Sequence, residues 1–315
     1  MKAITFKALQ VFICLIFCTT QGIAQTDVDG LMMEKNWFCV GPTASYSSWK
    51  NYWEGTNKRD NANLGTVSTT AAMIMGNYGI TSKLNVLFGL PYIKTKTSAG
   101  TMKGQQGWQD LSLFVKWVAK EKKLGNGILK GIVIAGYATP VSDYNEDLLP
   151  LSIGLQSKTA MLRLMADYQR NHWFATISGT YNFRSNVSLD KNTYYTTELH
   201  YSSEVKMPDA TYFNFRTGYR SDVWIVEAIA DKFTTLGGFD ITKNNMPFVS
   251  NKMNATRLGM HVKYETNFIE GLSIVADANT TIAGRNVGQS TGFGGGIFYI
   301  MDFSKKEKNT SNTQN

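Results

Sequence analysis

Short runs of alternating apolar and polar residues recur along this chain. Between Trp108 and Ala119, Leu111, Leu113, Val115 and Trp117 fall on one face, and Asp110, Ser112, Phe114 and Lys116 on the other. Between Trp173 and Arg184, Trp173, Ala175, Ile177, Gly179, Tyr181 and Phe183 share a face that carries aromatic residues at both ends, against Thr176, Ser178, Thr180 and Asn182. Leu258, Met260, Val262 and Tyr264 alternate with His261, Lys263 and Glu265, and Leu272, Ile274, Ala276 and Ala278 with Ser273, Asp277 and Asn279. A period of two is that of a β-strand, whose successive side chains point to opposite faces. A soluble sandwich and a membrane barrel both alternate. In the barrel the apolar face meets lipid and the polar face meets the lumen, and aromatic residues gather where strands cross the interface. The length of the runs and their aromatic ends favour the barrel.

The connections support the same architecture. Short ones fall at Thr81–Lys83, Gln169–His172, Ser221–Asp222 and Ile269–Gly271, and long polar ones at 51–66, 98–107, 142–149, 185–210, 237–253 and 284–291. Short and long alternate, as periplasmic turns and external loops do. The exception is Glu121–Gly127, a medium turn where a short one is due, with the basic cluster Lys120–Lys123 read as a solvated turn. The pattern predicts an all-β, closed, antiparallel transmembrane barrel of twelve strands, roughly 37–50, 67–79, 84–97, 108–119, 128–141, 151–168, 173–184, 211–220, 223–236, 254–268, 271–283 and 292–303. An even count returns both ends to the periplasm. Residues 193–207 would make a thirteenth strand and break that parity, so they are placed in a long external excursion. The last strand sets Ile297, Tyr299, Met301 and Phe303 on one face, the kind of closing strand that barrel-assembly machinery reads, and a polar tail expected to be disordered follows over 304–315.

The N-terminus adds the address. Lys2 and Lys7 precede an apolar run, Ala8–Phe17, and Gly22-Ile23-Ala24 sets small residues before Gln25, the layout of a cleaved secretory signal over 1–24. A lipoprotein signal ending at Cys18 is the rival, and bulky Phe17 argues against it. Residues 25–36 are expected as a periplasmic segment ahead of a barrel spanning 37–303. The leader holds two bases and no acid, so the net charge falls from +8 to +6. The bases are scattered, which disfavours nucleic acid as a partner. Cys14 and Cys18 leave with the leader, and Cys39, alone in an apolar stretch, reads as a packed thiol. Outer-membrane lipid and lipopolysaccharide, the assembly machinery and a small-molecule solute are the expected partners, in the outer membrane of a double-membrane bacterium.

Several strings appear in a telling order. Tyr78-Gly79-Ile80-Thr81 leads to Leu84-Asn85-Val86 and Gly89-Leu90-Pro91-Tyr92, then Gly107-Trp108-Gln109-Asp110-Leu111 and Lys116-Trp117, then Gly136-Tyr137-Ala138-Thr139-Pro140 before Asp143. This resembles the outer-membrane transporters grouped with the meta-cleavage pathway of phenol degradation, over about residues 78–184. Gln109 stands where that family has a second Gly, and Ser142-Asp143 replaces Gly-Asp. The resemblance implies a barrel related to uptake channels for hydrophobic compounds.

Parity turns Asp110, Lys116, Arg163, Asp167, Arg216, Glu227, Asp231, Lys263, Glu265 and Asp277 inward. They can form an interior network that fills a narrow barrel, with Arg216, Glu227, Lys263 and Asp277 as a ladder, or a constriction that selects solutes by charge. Pro91 and Pro140 interrupt apparent strands, each a bulge or strand end. By the resemblance, such a break opens a lateral exit for an apolar ligand; otherwise each lies at the rim. Enzyme chemistry has little footing. His200-Tyr201-Ser202 keeps the His-x-Ser of outer-membrane phospholipases and loses the Asn-Gly that follows, and no histidine or cysteine spacing suits zinc. The glycines from Gly292 to Gly296 sit within a strand, not before a helix, and read as close wall packing. No cofactor or metal is expected. The reading is a channel or transporter for small molecules, hydrophobic or aromatic ones among them, against a non-conducting barrel whose lumen is filled and whose external loops do the work.

Overall fold

The computed structural model of the chain describes residues 26–242 and 245–304. The expected leader and all of the expected tail beyond Ser304 lie outside the described residues. Twelve long strands form one antiparallel sheet: β1 Trp37–Trp49, β2 Val67–Thr81, β3 Leu84–Thr97, β4 Asp110–Leu124, β5 Gly127–Pro140, β6 Thr159–Arg170, β7 Trp173–Arg184, β8 Ala210–Arg220, β9 Trp224–Thr235, β10 Asn254–Glu265, β11 Leu272–Arg285 and β12 Thr291–Asp302. Each pairs with the next in sequence, and β12 pairs with β1 from Trp37↔Asp302 to Ser48↔Thr291, closing the barrel. In hydrocarbon an open edge would leave backbone N–H and C=O groups without partners, and closure removes the edge.

Outward faces are apolar where alternation places them. Leu113, Val115 and Trp117 of β4, Trp173, Ile177 and Phe183 of β7, Met260 of β10 and Ile297 of β12 are exposed, while Lys116, Thr176, Ser178 and Thr180 turn inward and are buried. Cross-strand ring pairs band both ends. Trp173–Tyr219 and Trp224–Tyr264, with centroids 5.8 Å and 4.6 Å apart, lie at the short-turn end, and Tyr46–Phe293, 5.6 Å apart, at the long-loop end. Amphipathic rings suit the two membrane interfaces.

Two expectations change and a third holds. The medium turn at 121–127 is a tight turn at Gly125-Asn126, because β4 and β5 continue pairing to Leu124↔Gly127. The Lys120–Lys123 cluster is therefore strand, exposed on both faces, where the ribbon outruns the barrel wall. The expected strand 151–168 begins only at Thr159, since the preceding residues fold over the barrel mouth. There Leu151 is fully buried against Leu64 and Val67, and its carbonyl accepts a hydrogen bond from Thr95 Oγ1 at 2.6 Å. The 193–207 segment is the expected excursion, a nested pair of two-residue ladders, Val187–Ser188 with Glu204–Val205 and Tyr194–Tyr195 with Leu199–His200. It rests on its own apolar cluster of Val187, Leu189, Val205, Met207 and Val249.

Asn286 joins three loops at this end. Its φ of 54° is a left-handed conformation that asparagine tolerates. Its Oδ1 accepts from the backbone N–H of Gly55 at 2.7 Å and of Ile241 at 3.1 Å, and its Nδ2 donates to Asp240 Oδ1 at 2.7 Å and to the Lys252 carbonyl at 2.6 Å. Hydrogen bonds from Arg285 hold the Asp240 carboxyl below its ordinary value of 3.8. A depressed carboxylate stabilises the fold above its unfolded pKa and loses that contribution as pH falls through the folded value. The 237–253 loop should therefore resist limited proteolysis at neutral and mildly acidic pH and yield only below the ordinary carboxylate range, whereas Asn286→Ala should yield at neutral pH. Facing is tested by urea unfolding in lipid vesicles. Leu113→Arg should cost up to about 2–4 kcal/mol and Ser112→Arg much less; equal costs would reject the assignment.

Candidate functional site

The lumen is occupied by the chain itself. Of the segment before β1, expected to be periplasmic, residues 26–33 run inside the barrel and Glu34 and Lys35 are exposed at its short-turn end. The physical reason is charge: the inner wall carries cations that need partners in a space poor in water. Lys116 of β4 is fully buried, and its Nζ donates to Asp29 Oδ1 at 3.0 Å and to the Thr26 carbonyl at 2.9 Å. Arg163 of β6 reaches Asp27 Oδ2 at 2.7 Å and also donates through Nε to Thr180 Oγ1 at 2.7 Å. Asp29 is shaped for this position. Its carboxylate also accepts the Thr26 N–H at 2.5 Å and the Leu31 N–H at 2.9 Å, which curls the segment into a compact turn. Gly30 passes so close to the wall that an added Cβ would lie 2.1 Å from the Asp167 carboxyl carbon. Below it, Met32 packs on Val118, Ile132, Ile134 and Met165, and Met33 on Cys39, Val275, Phe298 and Ile300. Asn36 then ties the segment to the short-turn end, donating its N–H to the Gly79 carbonyl at 2.8 Å and accepting from Phe303 N–H at 3.0 Å.

The other inward charges pair across the wall. Asp167 accepts from Arg220 at 2.9 Å and from Thr176 Oγ1 at 2.5 Å. Arg216 meets Glu227 at 2.8 Å, with Arg220 a further 3.7 Å contact to the same carboxylate. Asp231 pairs with Arg257 and Lys263 with Glu265, each at 2.8 Å. The expected ladder of Arg216, Glu227, Lys263 and Asp277 is thus interrupted: Lys263 turns along its own strand to Glu265, and Asp277 faces the open cavity. Asp110 stands apart near the mouth, accepting from Tyr144 Oη at 2.8 Å.

Four partners escaped the sequence reading. Arg220 and Arg257 share inward parity with Arg216 and His261, so alternation could have found them. Arg220 also lies over the Phe174 ring, 3.4 Å from its centroid. A bulge between Thr256 and Arg257 sets the register beside Arg257. Asp27 and Asp29 precede the strands, where no periodicity points to them.

Two cavities flank the plug. One of about 460 Å³ lies between Asp27 and Asp29 and the wall formed by Arg216, Glu227, Asp231, His261 and Asp277. The second, about 310 Å³, runs from Asp27 past Met73, Met75, Leu87 and Phe88 to Pro91 and Gln109. It meets the wall where pairing lapses. β3 and β4 pair from Leu84↔Trp117 only to Gly89↔Ser112, and beyond that β3 pairs with the short strand Gln106–Trp108. Gln109 bridges the step, donating its N–H to the Pro91 carbonyl at 2.9 Å and accepting from Val141 N–H at 3.1 Å. Pro91 is therefore a break within the wall, whereas Pro140 ends β5 opposite Asp110 at the rim.

His200 and Ser202 make no catalytic pair. His200 Nε2 contacts Thr196 Oγ1 at 2.8 Å and its ring stacks on Tyr194, while Ser202 Oγ accepts from Glu204 N–H at 3.0 Å.

No protein-family model matches the chain, and no curated protein matches it in sequence. Solved structures do match in shape. An outer membrane channel of the COG4313 group from Pseudomonas putida F1 superposes with a TM-score of 0.67 at 12% identity, covering 89% of this chain and all of that one. The translocator domain of the autotransporter NalP from Neisseria meningitidis gives 0.47 at 11% identity over 94% of this chain and 96% of that one. A deltaS2 mutant of the monoaromatic hydrocarbon channel TodX gives 0.44 at 10% identity over 86% of this chain and 91% of that one. What this chain shares with the first of these is its fold, the closed β-barrel of an outer-membrane channel.

Proposed function

We propose that this protein is an outer-membrane channel for small, predominantly apolar molecules, aromatic ones among them, gated by its own N-terminal segment. The observation that carries this reading is the second cavity. It is lined by Met73, Met75, Leu87 and Phe88, touches the plug at Asp27, and ends at the Pro91–Gln109 interruption. An apolar solute entering from the long-loop end would find apolar side chains, a plug across the axial path and a wall segment short of ladder hydrogen bonds. The charge pairs around the plug disfavour a permanently open aqueous pore. The likeness to an outer membrane channel and the resemblance over residues 78–184 support the same class.

Proteoliposomes holding the full mature chain test the reading. A labelled monoaromatic hydrocarbon should enter faster than through protein-free vesicles, and faster than a neutral sugar of similar size. No flux of any small solute, apolar or charged, would leave a non-conducting barrel. Pro91→Val should restore pairing at the step and slow apolar uptake, whereas Pro140→Val, at the rim, should leave it unchanged. The plug is tested separately in planar bilayers. Asp27→Asn with Asp29→Asn leaves Lys116 and Arg163 without their carboxylates, a loss of about 3–5 kcal/mol for one broken buried pair. Ion conductance should rise, and selectivity should shift toward anions as the two wall cations face the lumen.

A further inference from the structure

A third cavity, of about 200 Å³, lies outside the barrel wall's interior, among the loops at the long-loop end. It shares no lining residue with the two lumen cavities. Trp49 and Tyr52 set their rings 6.2 Å apart on one side, and Leu64, Pro150, Met246 and Pro247 supply further apolar wall. Glu54 and Arg59, paired at 2.8 Å, border it on the polar side. The loops that form it are tied in place, because Asn286 joins the hairpin of Asn51–Glu54 and Asn57–Asp60 to the Asp240–Ile241 segment.

Asn61 lines this cavity and is only 8% exposed. Three of its four polar positions are used. Its backbone N–H donates to the Lys50 carbonyl at 2.9 Å, its carbonyl accepts from Gly65 N–H at 2.9 Å, and its Oδ1 accepts from Leu64 N–H at 3.4 Å. Its Nδ2 has no hydrogen-bond partner. A buried donor without an acceptor is destabilising, and a ligand that supplied the acceptor would recover much of that cost. Nδ2 has no accessible surface in this conformation, so an acceptor reaches it only once the amide turns toward the cavity, and the Oδ1 contact that such a turn gives up is long, at 3.4 Å. Ligand pockets have this composition, mostly apolar with a few polar groups that fix orientation. A cavity of about 150 Å³ already admits a benzene ring.

We infer that this loop cavity is a binding site for a monocyclic aromatic molecule bearing one hydrogen-bond acceptor, such as a ketone or ester, with the ring against Trp49 and Tyr52 and the acceptor on Asn61 Nδ2. Binding here goes beyond conduction and does not require it, so failure of flux and failure of this site are separate results.

The full mature chain in lipid nanodiscs, titrated with 4-fluoroacetophenone and followed by fluorine NMR, tests the site. Empty nanodiscs give the partitioning background. The ketone should bind saturably, about ten-fold tighter than 4-fluoroethylbenzene, which has its shape and no acceptor, as one recovered buried hydrogen bond predicts. Asn61→Asp keeps the acceptor for Leu64 N–H and removes the donor, and should reduce the ketone to the hydrocarbon's affinity. Met246→Trp should fill the cavity and abolish binding of both, while the Asp27→Asn, Asp29→Asn protein should bind as the native chain does. No saturable binding, equal affinity for ketone and hydrocarbon, or ketone binding that survives both Asn61→Asp and Met246→Trp would overturn the assignment.

Discussion

Water is scarce on both sides of this sheet, and that constraint organises the molecule. On the lipid side, every backbone N–H and C=O must be satisfied within the sheet, which requires β12 to return to β1 and requires the outward face to be apolar throughout. On the lumen side, a narrow interior leaves charged groups poorly hydrated, so each needs an opposite charge or a hydrogen-bond partner. Asp167 with Arg220 and Arg216 with Glu227 meet this need between strands of the wall. Lys116 and Arg163 take their carboxylates from the N-terminal segment, and Arg163 also donates to Thr180 of the wall. The plug is thus part of the wall's electrostatic balance as well as a physical obstruction.

The same constraint explains where the wall is weakest. A strand can lose ladder bonds without collapse if another donor covers the gap. Gln109 does this at Pro91, standing out of both neighbouring strands while bonding to the chain on each side. The cavity behind it is mostly apolar, with Asp27, Asp110 and Ser112 beside Gln109 as its polar members. A weakened ladder, an apolar chamber and a charge-held plug lie within one connected region of the barrel, whereas the loop cavity at Asn61 sits apart, framed by loops that Asn286 fastens together.

Much of the barrel was legible in the sequence because a strand between lipid and lumen writes its facing into alternate residues. β3 and β7 matched their expected limits, and Leu113, Ile177 and Ile297 face outward as parity required. Errors arose where the two solvents no longer differ. Lys120–Lys123 extend past the membrane, so a run of charges that would be improbable in lipid is ordinary strand there. Leu151 and Ile153 are buried because they cap the mouth, and their alternation with Ser152 and Gly154 imitates a strand face. Inward charges were readable by the same parity, but their partners were only partly so. Arg220 and Arg257 obey alternation; Asp27 and Asp29 lie in a segment with no period, and the inward charges read by parity, richer in carboxylates than in cations, do not point to them. Asn61 left no sequence signal, since its role depends on three loops meeting.

The plug is continuous with β1, and this gives it a property no separate inhibitor would have. Asp29 lies seven residues before Asn36, which is fixed to the Gly79 carbonyl at the short-turn end. Even fully extended, that stretch spans at most about 25 Å. A released plug therefore stays near the barrel, and its carboxylates remain at an effective concentration on the order of millimolar beside Lys116 and Arg163. On the proposed gating, opening is a competition within one molecule. A passing anion must outbid a counter-ion that never diffuses away, and each opening ends by re-docking of a tethered partner, at a rate set by the length of the tether and independent of how much protein the membrane holds.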